Sequence, residues 1–496
     1  MFISLVLCSL LFEARAGHCA SCPDEETEMK KDMQKKRSST TLAQFLADFI
    51  VGCRYEDIPV DAIQKVKHFV IDVLGCMVGA SHEPQAEIIK AVLGEEGGNP
   101  QSSVFRGGFK TSVMNAALIN GAQGHMFDFD DDHREGTLHP SVAVFPAVFA
   151  LGEKLGVNGK ELIRAFILGL EVMVRLGESF LGKSYYQGFH PTGTCGVFGA
   201  AAGCTLLMGL DPIQTKYALG LAGSFAAGSI ECTGEGAWAK PLQAGHPAMG
   251  GVLAASLAAK NYRGPGTILD GVDGGLIRAF SFQDQYDYDR ITDNIGEKWE
   301  MMDTSIKVHA CCRFSAPAAD CALDLYRQGV RANKIKDILA KAGDFTIKTL
   351  CHPPERKLRP QTHVDAQFSL PYAIAVAICR NRIGIDEFKT EVLDNPEVLS
   401  LIDKVRWEVD PEAEAMYPKA YPATVIATLN DGRVFESHVD YPKGDPENPT
   451  NLKEIIEKFH SLTEKYMEEE KRSRIIAEVE RLEDMDNITG LADLLR

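Results

Sequence analysis

The sequence lacks any apolar run of the ~18–20 residues that a membrane-spanning helix needs, so no span is predicted. It also lacks a basic excess, since 69 acidic residues against 52 basic ones leave a formal charge of −17. Because nucleic-acid binding requires Lys and Arg to neutralise phosphates, we expect no DNA or RNA partner. Only 8% of the 496 residues are aromatic, whereas 45% are hydrophobic. This composition is typical of a globular enzyme of two or three domains that acts on a small molecule.

The 13 cysteines lack the spacing of a disulfide framework, which favours a reducing compartment. Cys19 and Cys22 form a C-x-x-C pair, but no second pair accompanies them. Cys311 and Cys312 are adjacent, and no set of cysteines has the spacing of an iron–sulfur cluster. No cofactor motif is present either. We therefore predict no metal and no cofactor.

The first 40 residues are predicted to be a leader or a disordered N-terminus outside the globular fold. An apolar run from Phe2 to Phe12 precedes the small residues Ala14 to Gly17, as in a secretory leader. No Lys or Arg precedes that run, and a basic block that includes Met29 and Met33 follows it. Two interpretations stay open. A true signal peptide would direct the protein to the secretory pathway, whereas translation from one of those methionines would leave it cytoplasmic.

Helical periodicity dominates the chain from Leu42 to about residue 260. Apolar residues recur three and four positions apart in Val66–Met77 and in Ile163–Val174, which places one apolar stripe on each helix. The Gly- and Ala-rich run from Gly193 to Leu210 lacks the order G-x-x-x-x-G-K-[ST] of a phosphate loop. We predict a tightly packed helix there.

Strand signals appear beyond residue 300. Phe345–Thr349 and Val405–Val409 are short β-type runs, and Ala423–Leu429 joins Val434–Val439 through Asn-Asp-Gly-Arg, a hairpin signal. The helical period returns after residue 450. We therefore predict a mainly α fold: a large all-helical domain formed by both chain ends, residues 41–303 with 441–496, and a smaller α+β lid domain at residues 304–440.

The densest polar cluster lies between two apolar helical stretches, at residues 125–140. It contains Asp128, Asp130, Asp131 and Asp132. Because neighbouring carboxylates repel each other, we interpret the cluster as a functional loop rather than as solvated surface. A cap for a helix that begins near Pro140 is the competing interpretation, and one residue can cap while another takes part in catalysis. The alternating ligands, Gly turn and terminal Glu of a calcium loop are absent.

Three further segments supply histidine and cations. His190 precedes the glycine-rich helix, whose free N–H groups favour an anion; it suits a helix-terminal role as well as that of a catalytic base. Lys240 lies in a small and apolar stretch, so we expect it to meet an anion of the protein or of a ligand. Lys307 and Arg313 lie near the predicted domain boundary, where ligands tend to bind. These groups suit proton abstraction beside a carboxylate in a polyanionic substrate.

Several separated motifs together resemble the MmgE/PrpD family, in consistent order over roughly residues 40–496. They are His125–Pro140, Phe189–Thr192, Ala239–Pro241, Ile306–Arg313, Ala366–Tyr372 and Pro442–Pro449. Known members of the family include 2-methylcitrate dehydratase and cis-aconitate decarboxylase. The resemblance implies a large helical domain with a smaller α+β lid, a homodimer, and catalysis without a metal.

Carried over motif by motif, the resemblance also implies two sets of site residues. The catalytic set is His139, Asp128, Lys240 and Lys307, and the set that binds a di- or tricarboxylate is His190, Asp132, Cys312, Arg313 and Tyr372. In the expected reaction His139 or Asp128 moves a proton. Lys240, Lys307 and His190 bind the substrate carboxylates.

Two positions depart from the decarboxylase pattern. Asp132 stands where the decarboxylase has Thr, and Cys312 stands where it has His, which changes both the charge and the groups that carry protons. We therefore expect a lyase that eliminates water, a dehydratase of the 2-methylcitrate or alkylcitrate type, in preference to a decarboxylase. An isomerase or epimerase that uses the same proton transfer stays open, as does a non-catalytic carboxylate-binding scaffold.

Overall fold

A computed structural model describes residues 40–281 and 284–496. The predicted leader, its C-x-x-C pair and both candidate start methionines lie outside these residues. Thr41–Arg496 form one compact unit. The domain boundaries at residues 303/304 and 440/441 stay a prediction.

The described chain is mainly α, as predicted. Its helices are α1 Leu42–Gly52, α2 Val60–Gly79, α3 Pro84–Glu96, α4 Val113–His125, α5 Ser141–Leu155, α6 Gly159–Ser179, α7 Lys183–Tyr186, α8 Pro191–Leu207, α9 Pro212–Ala222, α10 Cys232–Glu235, α11 Leu242–Ala258, α12 Leu276–Phe280, α13 Asp289–Thr292, α14 Ala316–Arg327, α15 Asp344–Cys351, α16 Pro354–Lys357, α17 His363–Gln367, α18 Leu370–Arg380, α19 Thr390–Leu393, α20 Pro396–Ile402, α21 Pro411–Ala415, α22 Leu452–Thr463, α23 Glu469–Glu480 and α24 Thr489–Leu495. Its strands are β1 Ser102–Ser103, β2 Lys110–Thr111, β3 Asp132–His133, β4 Thr304–Ser305, β5 Ile335–Ala342, β6 Val405–Val409, β7 Ala423–Leu429 and β8 Val434–Val439.

Small residues let the long helices of the first half pack closely, which confirms the helix predicted for the Gly- and Ala-rich run. A Cβ on Gly199 of α8 would lie 2.5 Å from the carbonyl oxygen of Gly169 on α6. A Cβ on Gly245 of α11 would lie 2.2 Å from the carbonyl oxygen of Leu118 on α4. Any larger side chain at either position would force two backbones apart.

The four-stranded sheet has the order β6-β5-β7-β8. Strand β5 pairs parallel with β6 and antiparallel with β7, and β7 pairs antiparallel with β8. The strand at Val405–Val409 and the hairpin at β7 and β8 are therefore confirmed. Helix α14 packs against β7 and β8 and against α18, which covers the sheet with apolar side chains.

The strand predicted at Phe345–Thr349 is wrong, because these residues lie in helix α15. Their β-branched and aromatic side chains favour a strand only when a neighbouring strand is available to pair with them. Here Phe345, Ile347 and Leu350 are instead buried side chains of a short helix. The ring of Phe345 packs edge-on against Phe314, with centroids 4.7 Å apart.

The C-terminal segment returns to the first helices, as predicted. Helix α22 packs against α2, where a Cβ on Gly75 would lie 3.3 Å from the Cα of Phe459. Within residues 40–281 and 284–496 no helix has both the length and the apolar character to cross a bilayer. The ten cysteines in those ranges are free thiols.

Two backbone contacts position the segment that carries Lys307, and the first of them joins it to the acidic loop. Strand β3 pairs antiparallel with β4, with Asp132 opposite Ser305. Gly444 contacts the residue that follows β4: its carbonyl accepts a 3.2 Å hydrogen bond from the N–H of Ile306. Gly444 has φ of +104°, and a Cβ there would lie 2.1 Å from the carbonyl oxygen of Ile306.

Gly444→Ala should therefore destabilise the protein more than Gly→Ala at another position with positive φ. Gly432 is the matched control, since its φ is +87° and its Cβ would meet no atom within 4 Å. Gly432→Ala should lower the free energy of unfolding by about 1–2 kcal/mol through backbone strain alone. Gly444→Ala should add about 1–3 kcal/mol for the overlap with Ile306. Urea unfolding measures both, and equal losses would contradict the close approach.

Candidate active site

The acidic loop gives each aspartate a different partner, and one of the four supplies the helix cap that the sequence indicates. Asp131 caps α5: its carboxylate accepts hydrogen bonds from the backbone N–H of Ser141 at 3.1 Å and from the Ser141 hydroxyl. Asp130 faces His125 and His139. Asp128 has φ of +48°, a left-handed conformation that few non-glycine residues adopt. That turn directs its carboxylate toward the lysines.

Asp128 is the point where the predicted lysines meet. Its Oδ1 lies 3.0 Å from Nζ of Lys240 and 3.1 Å from Nζ of Lys307, and all three side chains are buried. Burial alone would raise the pKa of Asp128, but the two ammonium groups and the neighbouring histidines outweigh it and hold the pKa far below its usual value. Burial tends to lower the pKa of Lys307, and Asp128 outweighs that effect, so the net pKa is raised. The expectation that Lys240 meets an anion is met by Asp128.

Hydrogen bonds assign the tautomers of His125 and His139. Nε2 of His125 accepts from the Lys240 ammonium at 2.7 Å, so its Nδ1 carries the proton and donates to Asp130 at 2.9 Å. Nδ1 of His139 faces two acceptors, Asp130 Oδ2 at 3.1 Å and the carbonyl of Asp131 at 3.0 Å. In the neutral ring, Nε2 of His139 is therefore unprotonated, and it lies 3.7 Å from Asp128 Oδ1.

Burial keeps the three histidines neutral at physiological pH. It lowers the pKa of His125 to about 4 and also lowers the pKa of His139, although Asp130 opposes the shift in both. Burial and the Lys240 ammonium lower the pKa of His190 well below its usual value. Nδ1 of His190 pairs with the Gln243 side-chain oxygen at 2.8 Å. Neutral imidazoles of this kind can accept a proton from a substrate.

His139, His190 and Lys240 line a cavity of about 40 Å³. The predicted residues on its wall are Asp128, Asp132, His139, His190, Lys240, Cys312 and Arg313. Lys307 contacts Asp128 but does not line this cavity. It lines a second, larger cavity instead. Burial raises the pKa of the Cys312 thiol to about 12, so this group stays protonated.

Tyr372 does not reach the cavity, which corrects its assignment to the binding set. It lies on α18 in the core, where its hydroxyl donates to the carbonyl of Glu387 at 2.5 Å. Its ring packs against Phe388, with ring centroids 5.7 Å apart. Conversely, Tyr185 and Tyr421 line the cavity. Neither stands in a motif that sequence reasoning could have used.

Asp132 and Arg313 form a second electrostatic centre on the cavity wall. Arg313 Nη2 donates to Asp445 at 2.6 Å, and Arg313 Nε lies 3.5 Å from Asp132 Oδ2. Both carboxylate oxygens of Asp132 are buried without a hydrogen-bond partner in the described part of the chain. Burial raises the pKa of Asp132 to about 6, although Arg313 and Lys307 oppose the rise. This carboxyl group can therefore exchange a proton near neutral pH and accept a hydrogen bond from a ligand.

The histidine and aspartate atoms are close enough to suggest a metal site. Ligand atoms of His125, Asp128, Asp130 and His139 lie within 4.8 Å of one another. However, the Lys240 ammonium already contacts both His125 Nε2 and Asp128. A divalent cation would have to displace that charge and overcome repulsion by Lys307. The donor set therefore fits two ammonium groups better than a metal ion.

The chain belongs to the MmgE/PrpD family. Residues 44–289 match the MmgE/PrpD N-terminal domain, and residues 309–484 match the MmgE/PrpD C-terminal domain.

Similar curated proteins extend over most of the chain. A cis-aconitate decarboxylase-like protein of Aspergillus oryzae is 27% identical, covering 91% of this chain and 96% of its own length. The cis-aconitate decarboxylase of Aspergillus terreus is 28% identical, covering 89% and 93%. The mouse cis-aconitate decarboxylase is 26% identical, covering 92% and 93%.

Chelation should leave the protein unchanged, because ammonium groups occupy the place that a metal would take. We expect the same thermal unfolding midpoint and the same turnover after dialysis against a chelator, and no stabilisation by added Zn²⁺. Loss of turnover on chelation with recovery on adding a metal would contradict the prediction.

Proposed function

We propose that this protein is a lyase that acts on a citrate-like or aconitate-like di- or tricarboxylate. The observation that carries the proposal is the cavity that Lys240, His190 and Arg313 line together with His139, whose Nε2 is unprotonated in the neutral ring. Cations in a buried site suit a substrate with several carboxylates, because charge-assisted hydrogen bonds strengthen when water is excluded. Membership of the MmgE/PrpD family and the names of the similar proteins support the same substrate class.

Elimination of water is the first candidate reaction. Neutral His139 accepts, at Nε2, the proton on the carbon next to a substrate carboxylate. The electron pair delocalises into that carboxylate, and the Lys240 ammonium stabilises the enediolate. The pair then forms the C=C bond while the C–O bond breaks, and the leaving hydroxide takes the proton of the Asp132 carboxyl. Asp132 favours this reaction, since a pKa of about 6 leaves a fraction of the group protonated at neutral pH.

Decarboxylation is the second candidate, and the names of the similar proteins favour it. Here the bond to one carboxylate breaks, carbon dioxide leaves, and the electron pair that stays on carbon takes a proton from Nε2 of His139, which must first take up that proton from water because the resting ring is neutral. Lys240 again stabilises the carbanion. This reaction has no leaving hydroxide, so it gives Asp132 no acid role.

The proposed residue roles differ from the sequence prediction for one lysine. Lys307 lies behind Asp128 rather than on the cavity wall. We therefore propose that Lys307 holds Asp128, while Lys240, His190 and Arg313 bind the substrate. A cavity of about 40 Å³ is also far smaller than the roughly 300–1,000 Å³ of usual ligand sites, so its walls must separate on binding. The lid domain and the homodimer remain proposals.

A substrate screen read by mass tests the function. The acids are citrate, 2-methylcitrate, longer alkylcitrates and cis-aconitate, and we expect loss of water from a hydroxy acid. His139→Gln keeps the approximate size and hydrogen-bonding capacity of the side chain, and should reduce turnover by ~10²–10⁴-fold with little change in the unfolding midpoint.

Each other outcome selects a different function. Loss of carbon dioxide from cis-aconitate would establish the second candidate. Deuterium entering an acid from solvent without loss of mass as water or carbon dioxide would favour an isomerase or epimerase. Thermal stabilisation by an acid with no product would favour a binding scaffold, and turnover of none of the acids would contradict the lyase.

A further inference from the structure

Lys458 lies on α22 and buries an ammonium group that contacts three acceptors. Its Nζ donates to the carbonyl of Phe129 at 2.5 Å and to the carbonyl of Lys307 at 2.9 Å. The same Nζ lies 2.6 Å from Oδ1 of Asp72 on α2. The ammonium therefore makes two hydrogen bonds to carbonyls and an ion pair with Asp72. Lys458 is also absent from the wall of the cavity that holds His139.

Both carbonyls belong to the segments that carry the Asp128–Lys307 ion pair. Phe129 directly follows Asp128, and the second carbonyl is that of Lys307 itself. Because 179 residues separate Asp128 from Lys307, local backbone geometry does not fix the distance between them. We propose that Lys458 is a positioning residue that sets this distance from the side remote from the substrate. The proposal rests on the function above, in which the Asp128–Lys307 pair organises the site.

Asp72 explains how the charged ammonium of Lys458 can be buried in the core while it holds the two carbonyls. A buried ammonium is costly unless a carboxylate pairs with it, and Asp72 is 1% exposed. In return, a charged donor makes shorter and stronger hydrogen bonds to carbonyls than a neutral donor does. The ring of Phe129 adds a face contact, with its centroid 4.0 Å from Nζ of Lys458. A neutral side chain of the same length would leave two site carbonyls without this donor.

Lys67 of α2 provides a matched control, because it is also buried and it contacts the C-terminal segment. Its Nζ donates to the carbonyl of Glu480 at 2.8 Å and pairs with the Glu483 carboxylate at 2.9 Å. None of these groups lines the cavity or contacts Asp128. Replacing Lys67 thus removes the ion pair of a buried lysine with a partly exposed glutamate, together with a backbone contact, without loosening the site.

The experiment compares Lys458→Met, Lys458→Arg and Lys67→Met in the full chain, below the unfolding midpoint of each. Both methionine variants should unfold at lower temperature. Lys458→Met should lower kcat by ~10²-fold, as expected for a displacement of about 1 Å in a catalytic group, with a smaller change in KM. Lys458→Arg retains a charged donor and should recover most of the lost kcat, whereas Lys67→Met should retain wild-type kcat.

A second readout needs no turnover, so it separates this proposal from the proposed function. In histidine NMR spectra, the His139 resonances are assigned by their absence in His139→Gln. Their pH titration should differ from that of the wild type in Lys458→Met and should match it in Lys67→Met. Failure of the wild type to turn over any acid would overturn the function, while the NMR comparison would still decide the role of Lys458. Equal kcat losses in the two methionine variants, or unchanged His139 titration in Lys458→Met, would overturn the positioning role.

Discussion

A single carboxylate oxygen, Oδ1 of Asp128, contacts the ammonium groups of two buried lysines, and the rest of the site depends on it. Lys240 and Lys307 lie 112 and 179 residues along the chain from Asp128. In a buried site, neither ammonium would be tolerated without a nearby anion. Lys240 also lines the cavity, so its ammonium can contact a carboxylate of a polyanionic substrate as well as Asp128.

The fold supplies the three segments by contacts that are distant in sequence. Helix α4 ends at His125, and the loop beyond it turns through the left-handed conformation of Asp128. The pairing of β3 with β4 brings in Lys307, and Gly444 lies against Ile306 on the far side. Asp130 contacts Nδ1 of both His125 and His139. It thereby orients the His139 ring so that the unprotonated Nε2 faces Asp128. The carboxylates of the loop therefore orient the bases as well as balance charge.

Local patterns predicted the long helices, the hairpin and the acidic loop, because each depends on spacing or on turn residues within a short stretch. They failed at Phe345, where burial against Phe314 outweighed β propensity. Motif matching found His139, Lys240 and Arg313, but it assigned Tyr372 to the site although that residue packs in the core. Lys458 could not be predicted, since its role comes from carbonyls 329 and 151 residues away. A lysine on an amphipathic helix gives no local signal of such contacts.

The most direct test of this account is the turnover of Asp128→Asn with the best substrate of the wild type. An amide keeps the shape of the side chain but cannot neutralise Lys240 and Lys307. The account predicts a folded protein at low temperature whose kcat is reduced by ~10²–10⁴-fold, because both the enediolate-stabilising cation and the base beside it lose their fixed positions. A kcat equal to that of the wild type would contradict the claim that this carboxylate organises the site.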